Sequence, residues 1–122
     1  MLIPTLYTIN HTEQLDENNF NVQIELNPSH AIFEGHFPNN PITPGVCMIQ
    51  IIKEITEDLV QEKLQLKKVS NVKFVAKINP FVHPKLDLKL NIAKENDEIK
   101  VKNSSYFEEV TALKLSAIFR PK

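Results

Sequence analysis

Side chains able to do chemistry are concentrated in one short stretch, residues 30–52, which reads HAIFEGHFPNNPITPGVCMIQII. It holds two histidines, both glycines, three of the eight prolines and the only cysteine of the chain. Histidine is the side chain best suited to proton transfer near neutral pH, and His36 lies in a proline-rich loop just before a helical segment. His36 is therefore the candidate acid–base residue, the alternative being a histidine that only supports the fold.

A second chemical group in this stretch is the backbone amide of Gly45. Pro38 and Pro41 hold the approach extended, and Thr43 and Pro44 suit the N-cap and the first position of a helix. Gly45 would then be the second helical residue, whose N–H has no partner inside the helix and is open to close approach. Such an amide, at the positive end of the helix dipole, can polarise a carbonyl oxygen. In the alternative interpretation, Thr43 caps the amide and Gly45 only permits tight packing.

One long helix is predicted over residues 44–63. Apolar residues recur there at helical spacing, and no proline or glycine follows Gly45 within the segment. Its first half is apolar on almost every side, which is typical of a helix enclosed by other structure. The second half, KEITEDLVQEK, carries charge and is expected to emerge into solvent.

Most of the remaining chain reads as β-strand. The segments FNVQIEL, LDLKLNI and IKVK alternate apolar and polar residues, and VTALKLSAIF is rich in residues that favour strands. Turns are expected at Asn79, at Pro84 and at the cluster KENDE. These elements predict an α+β fold in which a curved antiparallel sheet wraps one central helix, as a single domain over residues 1–122.

The overall composition excludes several classes of protein. Fourteen basic and fifteen acidic residues are spread along the chain, with a formal net charge of -1, which gives no support for nucleic acid or an anionic membrane as partner. We find no secretory leader and no run of about 20 apolar residues, so we expect a cytoplasmic protein without membrane insertion. The His, Cys and acidic residues lack metal-ligand spacing, and neither a metal nor another cofactor is expected.

The sequence GHFPNNPITPGV resembles the signature of the β-hydroxyacyl-acyl carrier protein dehydratase family at every fixed position. The later segment VSNVKFVAKINPFVHPKLDLKLNI is similar to that family's next pair of strands. The resemblance implies a hotdog fold, in which an antiparallel sheet wraps a long central helix. It also implies dehydration of a 3-hydroxyacyl thioester, carried by acyl carrier protein, to the trans-2-enoyl thioester. In those terms His36 resembles the catalytic histidine, and the Gly45 amide resembles the donor to the thioester carbonyl.

The resemblance further implies a homo-oligomer, either a dimer or a dimer-based hexamer, because in the family the histidine and a helix carboxylate of one site come from different subunits. That carboxylate lies fourteen residues after the histidine, where this chain has Gln50, and a glutamine amide cannot deliver a proton. Glu54 lies one turn later, where the family commonly has glutamine, so the two residue types look exchanged along one helix face. Either Gln50 marks the loss of an acid, or Glu54 has taken over its role, or Glu54 is an ordinary helix glutamate.

Other residues of the stretch have less specific roles. Four apolar residues could wall an acyl tunnel or belong to the core: Phe33, Phe37, Val46 and Ile49. His30 is interpreted as a turn or strand-end residue, with pocket lining as the alternative. His11 and His83 have no partnering pattern and are expected to be exposed. Cys47 is expected to be a small buried hydrophobic residue.

Two rival functions remain open at this stage. A hotdog thioesterase would use a carboxylate to activate water on the same thioester, releasing the carrier thiol instead of forming an enoyl product. A non-catalytic homologue would bind acyl chains or serve as a structural partner. Gln50 is the residue that keeps this second rival open.

Overall fold

The computed structural model describes residues 6–33 and 42–122 of the chain. Within these residues, six strands and one α-helix are formed. In chain order they are β1 (Tyr7–Gln14), β2 (Asn19–Leu26), α1 (Gly45–Val60), β3 (Leu64–Phe74), β4 (Lys85–Glu95), β5 (Glu98–Phe107) and β6 (Val110–Pro121). A short 3-10 helix, Ala31–Phe33, follows β2. The described elements therefore match the predicted α+β class.

The strands form one antiparallel sheet in the order β1-β2-β4-β5-β6-β3. Successive side chains of the central strands alternate between buried and exposed, as in β4, where Leu86, Leu88 and Leu90 are all buried. These inward side chains form one core cluster with the apolar face of α1, including Ile51, Ile52 and Ile55. The sheet therefore carries the helix on one face, and this packing fixes the direction in which the helix start points.

The start of α1 differs from the prediction by one residue. Pro44 is the N-cap, with an extended backbone (φ -62°, ψ 146°), and no side-chain hydrogen bond caps the helix. Because Pro44 stays outside the helix, Gly45 is the first helical residue and Thr43 is not the cap. The prediction of Thr43 as N-cap and Pro44 as first helical residue was therefore wrong. At the other end, the helix stops at Val60 because Gln61 turns into the left-handed region (φ 57°).

The burial of α1 also corrects the sequence interpretation. In its charged half, Glu54, Ile55 and Thr56 are buried, so this half does not simply emerge into solvent. In its apolar half, Val46 is 75% exposed. The helix start is thus open on one side, while the helix middle is packed beneath the sheet. No helix of the described ranges has the length and apolar character needed to cross a membrane.

Candidate active site

An apolar groove of about 660 Å³ lies beside the start of α1. Its walls are residues 42–46, which lead into the helix, and residues 74–78, which follow the end of β3. The two walls are joined by a backbone hydrogen bond from the Thr43 N–H to the Ile78 carbonyl oxygen (2.8 Å). Groove and helix start are therefore one unit, and a group bound in the groove lies against the N-terminus of α1.

The Gly45 amide lies at this N-terminus, in the first turn, where N–H groups have no acceptor within the helix. The Pro44 carbonyl oxygen accepts hydrogen bonds from the N–H groups of Cys47 (3.0 Å) and Met48 (3.3 Å). These are the first hydrogen bonds of the helix, and the Gly45 N–H is not part of them. The positive end of the helix dipole points into an apolar groove, where a hydrogen bond to an anionic oxygen is strengthened. This geometry suits a polarised thioester carbonyl.

The packing role proposed for Gly45 is also real. A Cβ added at Gly45 would lie 2.5 Å from Cζ of Phe74, whose ring covers this residue from the end of β3. Phe74 is 57% exposed, and its ring forms part of the wall of the groove on the solvent side. The absence of a side chain at Gly45 therefore permits close packing of the Phe74 ring, and access to the amide stays a prediction.

Gln50 and Glu54 do lie on one face of α1, as predicted. The Gln50 Nε2 donates to Glu54 Oε2 (3.0 Å), and Glu54 is only 6% exposed. A third residue joins them, because Tyr7 Oη of β1 donates to Glu54 Oε1 (2.8 Å). Burial first, and then the hydrogen bond to Glu54 and its charge, raise the pKa of Tyr7 above its ordinary value of 10.0. Glu54 is thus buried and accepts hydrogen bonds from Tyr7 and Gln50, while its role in the site stays a prediction.

Sequence reasoning missed Tyr7. It is 3% exposed and lies 47 positions from Glu54 in the sequence, and a contact of that separation leaves no mark in local spacing. The available signal was chemical, since a buried tyrosine hydroxyl requires a partner. Thr43, which is 4% exposed, has a hydroxyl without a hydrogen-bond partner among the described residues, so it does not cap the Gly45 amide.

The apolar candidates separate into different environments. Val46 lines the groove. Phe33 is 3% exposed and belongs to the core, and Ile49 is half-buried against that core; neither lines the groove. Gln50 and Glu54 are likewise absent from its walls. His36 and Phe37 lie outside the described residues.

The family of the chain is decided by sequence comparison. The family model of the ApeI-like dehydratases, described as ApeI dehydratase, matches residues 11–114. The chain belongs to the ApeI-like dehydratase family. The chain is also similar to the 3-hydroxyacyl-[acyl-carrier-protein] dehydratase FabZ of Lactobacillus helveticus. The two are 30% identical over 97% of this chain and 86% of the length of that FabZ. FabZ of Enterococcus faecalis is 28% identical over 88% of this chain and 82% of its own.

Solved structures agree with the fold of this ApeI-like dehydratase. The dehydratase heterocomplex ApeI:P from Xenorhabdus doucetiae aligns with a TM-score of 0.75 and 24% identity, covering 93% of this chain and 96% of that one. A hypothetical thioesterase from Streptococcus pneumoniae, solved with coenzyme A, aligns with a TM-score of 0.67 and 11% identity, covering 95% and 88% of the two chains. The predicted family and hotdog fold are confirmed.

The other histidines and the cysteine of this ApeI-like dehydratase lie outside the groove. His30 Nδ1 accepts from the Ile32 N–H (3.1 Å) at the turn after β2, which supports its interpretation as a turn residue. His11 is exposed on β1. His83 is partly buried, not exposed as predicted, because its ring stacks on Phe107 with centroids 4.3 Å apart. Cys47 is buried as predicted, and burial raises the pKa of its thiol.

Proposed function

We propose that this hydro-lyase acts on a 3-hydroxyacyl chain bound as a thioester to acyl carrier protein, with His36 as acid–base residue and the Gly45 amide as donor to the thioester carbonyl. The reaction yields the trans-2-enoyl thioester and water, in fatty acid or related biosynthesis. The observation that carries the proposal is that Gly45, the first residue of α1, lines an apolar groove and lies within a matched GHFPNNPITPGV signature. The roles themselves come from the family position of each residue.

The chemistry follows from these two groups. Removing a proton α to a thioester builds negative charge on the carbonyl oxygen, which the Gly45 N–H and the helix dipole stabilise. His36 takes that proton near neutral pH. The electron pair then forms the Cα–Cβ double bond and expels the 3-hydroxyl group, which leaves as water after accepting a proton. The apolar groove of the described residues could hold the acyl chain.

The site is completed, in this proposal, by a second copy of the chain. β3 is an edge strand of the sheet, and exposed apolar residues lie along it and at the helix start: Val46, Leu66, Val72, Phe74 and Val75. An exposed apolar edge strand pairs readily with another strand. Gln50 does not line the groove of its own chain, which fits a site whose helix residue is supplied by the partner subunit. We propose a homodimer through this edge, with larger dimer-based assemblies compatible with it.

Exposed lysines on the outer face of the sheet support the proposal that the substrate is bound to a carrier protein. Lys73, Lys114 and Lys89 lie along one row across β3, β6, β5 and β4, and Lys102 lies in the neighbouring row. All four lysines are exposed, and none of them forms an ion pair with a carboxylate of the described residues. Lys73 directly precedes Phe74 of the groove wall. An acidic surface of the carrier would find its counter-charges here, next to the entrance for the acyl chain.

Carrier docking is tested by charge reversal. Lys102→Glu combined with Lys114→Glu should lower kcat/KM for a carrier-bound substrate at least about ten-fold at low salt, since charge complementarity raises the association rate. The same variant should turn over a small-molecule thioester like the native protein. Lys63→Glu, an exposed lysine just beyond α1, is the matched control. Equal losses with both substrates would refute docking on this face.

The reaction type is tested by its product. Native protein given a 3-hydroxyacyl thioester should form the enoyl thioester without releasing the carrier thiol. The thioesterase rival predicts free thiol and no enoyl product, and the non-catalytic rival predicts neither. Either result would refute the proposed function. The cytoplasmic location stays a prediction from the sequence.

A further inference from the structure

A chain of hydrogen bonds connects β1 to the position at which the family carries its catalytic carboxylate. Tyr7 Oη donates to Glu54 Oε1 (2.8 Å), and Gln50 Nε2 donates to Glu54 Oε2 (3.0 Å). Tyr7 is 3% and Glu54 6% exposed, so the first bond is shielded from water, while Gln50 is half-buried and reaches the surface of α1. The Tyr7–Glu54 hydrogen bond is therefore buried, whereas Gln50 is partly accessible to solvent.

This arrangement selects one orientation of the Gln50 amide. A carboxylate oxygen can only accept, so the amide must direct its NH₂ group, not its oxygen, toward Glu54. The carbonyl oxygen lies on the other side of the amide carbon, and no residue of the described ranges donates a hydrogen bond to it. Glu54 is fixed in turn, because the Tyr7 hydroxyl holds its other oxygen. Without these two contacts, the amide could turn either of its ends outward.

We propose that Tyr7 and Glu54 are positioning residues that hold Gln50 with its carbonyl oxygen toward the substrate, where it accepts a hydrogen bond from the 3-hydroxyl group. The inference rests on the proposed function. It explains how a residue that cannot deliver a proton serves at this position. Glu54 acts through Gln50 and does not replace the missing acid, because both of its oxygens are already bonded to donors within the fold.

The proposed role is consistent with the balance of protons in the reaction. His36 takes the α-proton, and the same proton passes to the departing hydroxyl group, which becomes water as the C–O bond breaks. Gln50 neither gains nor loses a proton. By accepting the hydrogen of the hydroxyl group, its carbonyl oxygen leaves the lone pairs of that group free to accept the proton from the imidazolium. One histidine then supplies both the base and the acid.

A double-mutant cycle separates this role from a purely structural one. Tyr7→Phe should lower kcat for enoyl formation about two- to ten-fold, the range expected for one hydrogen bond, with little change in KM. In a Gln50→Ala background, Tyr7→Phe should cause no further loss, because its effect passes through Gln50. Tyr106→Phe, at the second tyrosine of the chain, is the matched control and should leave kcat unchanged. Thermal unfolding monitors the fold of each variant.

Each outcome of this cycle is decisive. Equal losses from Tyr7→Phe in the native and Gln50→Ala backgrounds, or no loss in either, would overturn the positioning role while leaving the dehydratase function intact. Absence of enoyl product from the native protein would overturn the proposed function and the role of Gln50 with it. Should Tyr7→Phe fail to fold, Glu54→Gln replaces it in the same cycle, since it keeps the side-chain volume but no longer dictates which end of the amide faces it.

Discussion

Among single residues, Gln50 and Glu54 show what the sequence could predict, a shared helix face, and what it could not predict, their roles. Their separation of four positions predicted a shared helix face, and the hydrogen bond between them agrees. Their ranking as candidate acids could not be settled, because it depends on Tyr7, which the fold brings in from β1. His36 and Gly45 are predicted from residue type and motif, which need no long-range information.

Exchanging the two residue types should reveal their coupling. Gln50→Glu alone places two carboxylates at hydrogen-bond distance, and we expect it to cost about 1–3 kcal/mol of unfolding free energy at neutral pH. Adding Glu54→Gln should recover most of this loss, because an amide donor again faces a carboxylate and the Tyr7 hydroxyl keeps an acceptor. Denaturant unfolding of the three variants measures both effects. A double variant no more stable than Gln50→Glu would contradict the observed pairing.

The buried hydroxyl of Tyr7 predicts a pH dependence of stability. Its pKa is raised in the folded protein, so above pH 10 the unfolded chain loses this proton while the folded one keeps it. The native protein should therefore lose stability with rising pH, relative to Tyr7→Phe, by at most about 1.4 kcal/mol per pH unit. Denaturant unfolding of both proteins between pH 9 and about 11 measures the difference. Parallel curves would show that Tyr7 ionises as easily in the folded protein as in the unfolded chain.

Among the secondary-structure elements, the four inner strands, whose inward side chains are buried, were predicted from their residue pattern. The two strands at the edges of the sheet were not predicted from such a pattern. β2, β4, β5 and β6 overlap the four predicted segments, because one face of each packs on the core. In β1, every residue after Tyr7 is exposed, so no alternation marks it as a strand. β3 was expected only in its second half, through the family resemblance, and its pairing with β6 shifts register twice. Edge position removes the pattern on which strand prediction depends.

The turn between β4 and β5 offers a test of this local reasoning. Glu95 pairs with Glu98 across a two-residue turn, in which Asn96 (φ 50°) and Asp97 (φ 62°) are both left-handed. Such turns favour glycine at the second position, so Asp97→Gly should stabilise the protein by up to about 1 kcal/mol. Asp87→Gly, at the third residue of β4, is the control and should destabilise the protein. Thermal unfolding compares the two, and a destabilised Asp97→Gly would contradict this turn.

At the scale of the whole molecule, the fold leaves an open apolar edge where the groove also lies. We expect sedimentation at micromolar concentration to show a homodimer. Val72→Lys on β3 should shift the protein toward monomer, because it places a charge on the proposed interface. Val110→Lys changes a comparably exposed valine at the first residue of β6, which is not the edge strand, and should leave the dimer intact. A native monomer would refute the proposed interface.

The proposal that one histidine carries out both proton transfers of the dehydration is tested by replacing His36. The rate of enoyl thioester formation from a 3-hydroxyacyl thioester should be compared between the native protein and His36→Ala, with the carrier thiol measured in parallel. We expect His36→Ala to lower the rate about 10²- to 10⁴-fold, the usual loss for a general acid–base residue, without gaining thiol release. An unchanged rate of enoyl formation in His36→Ala would contradict the account.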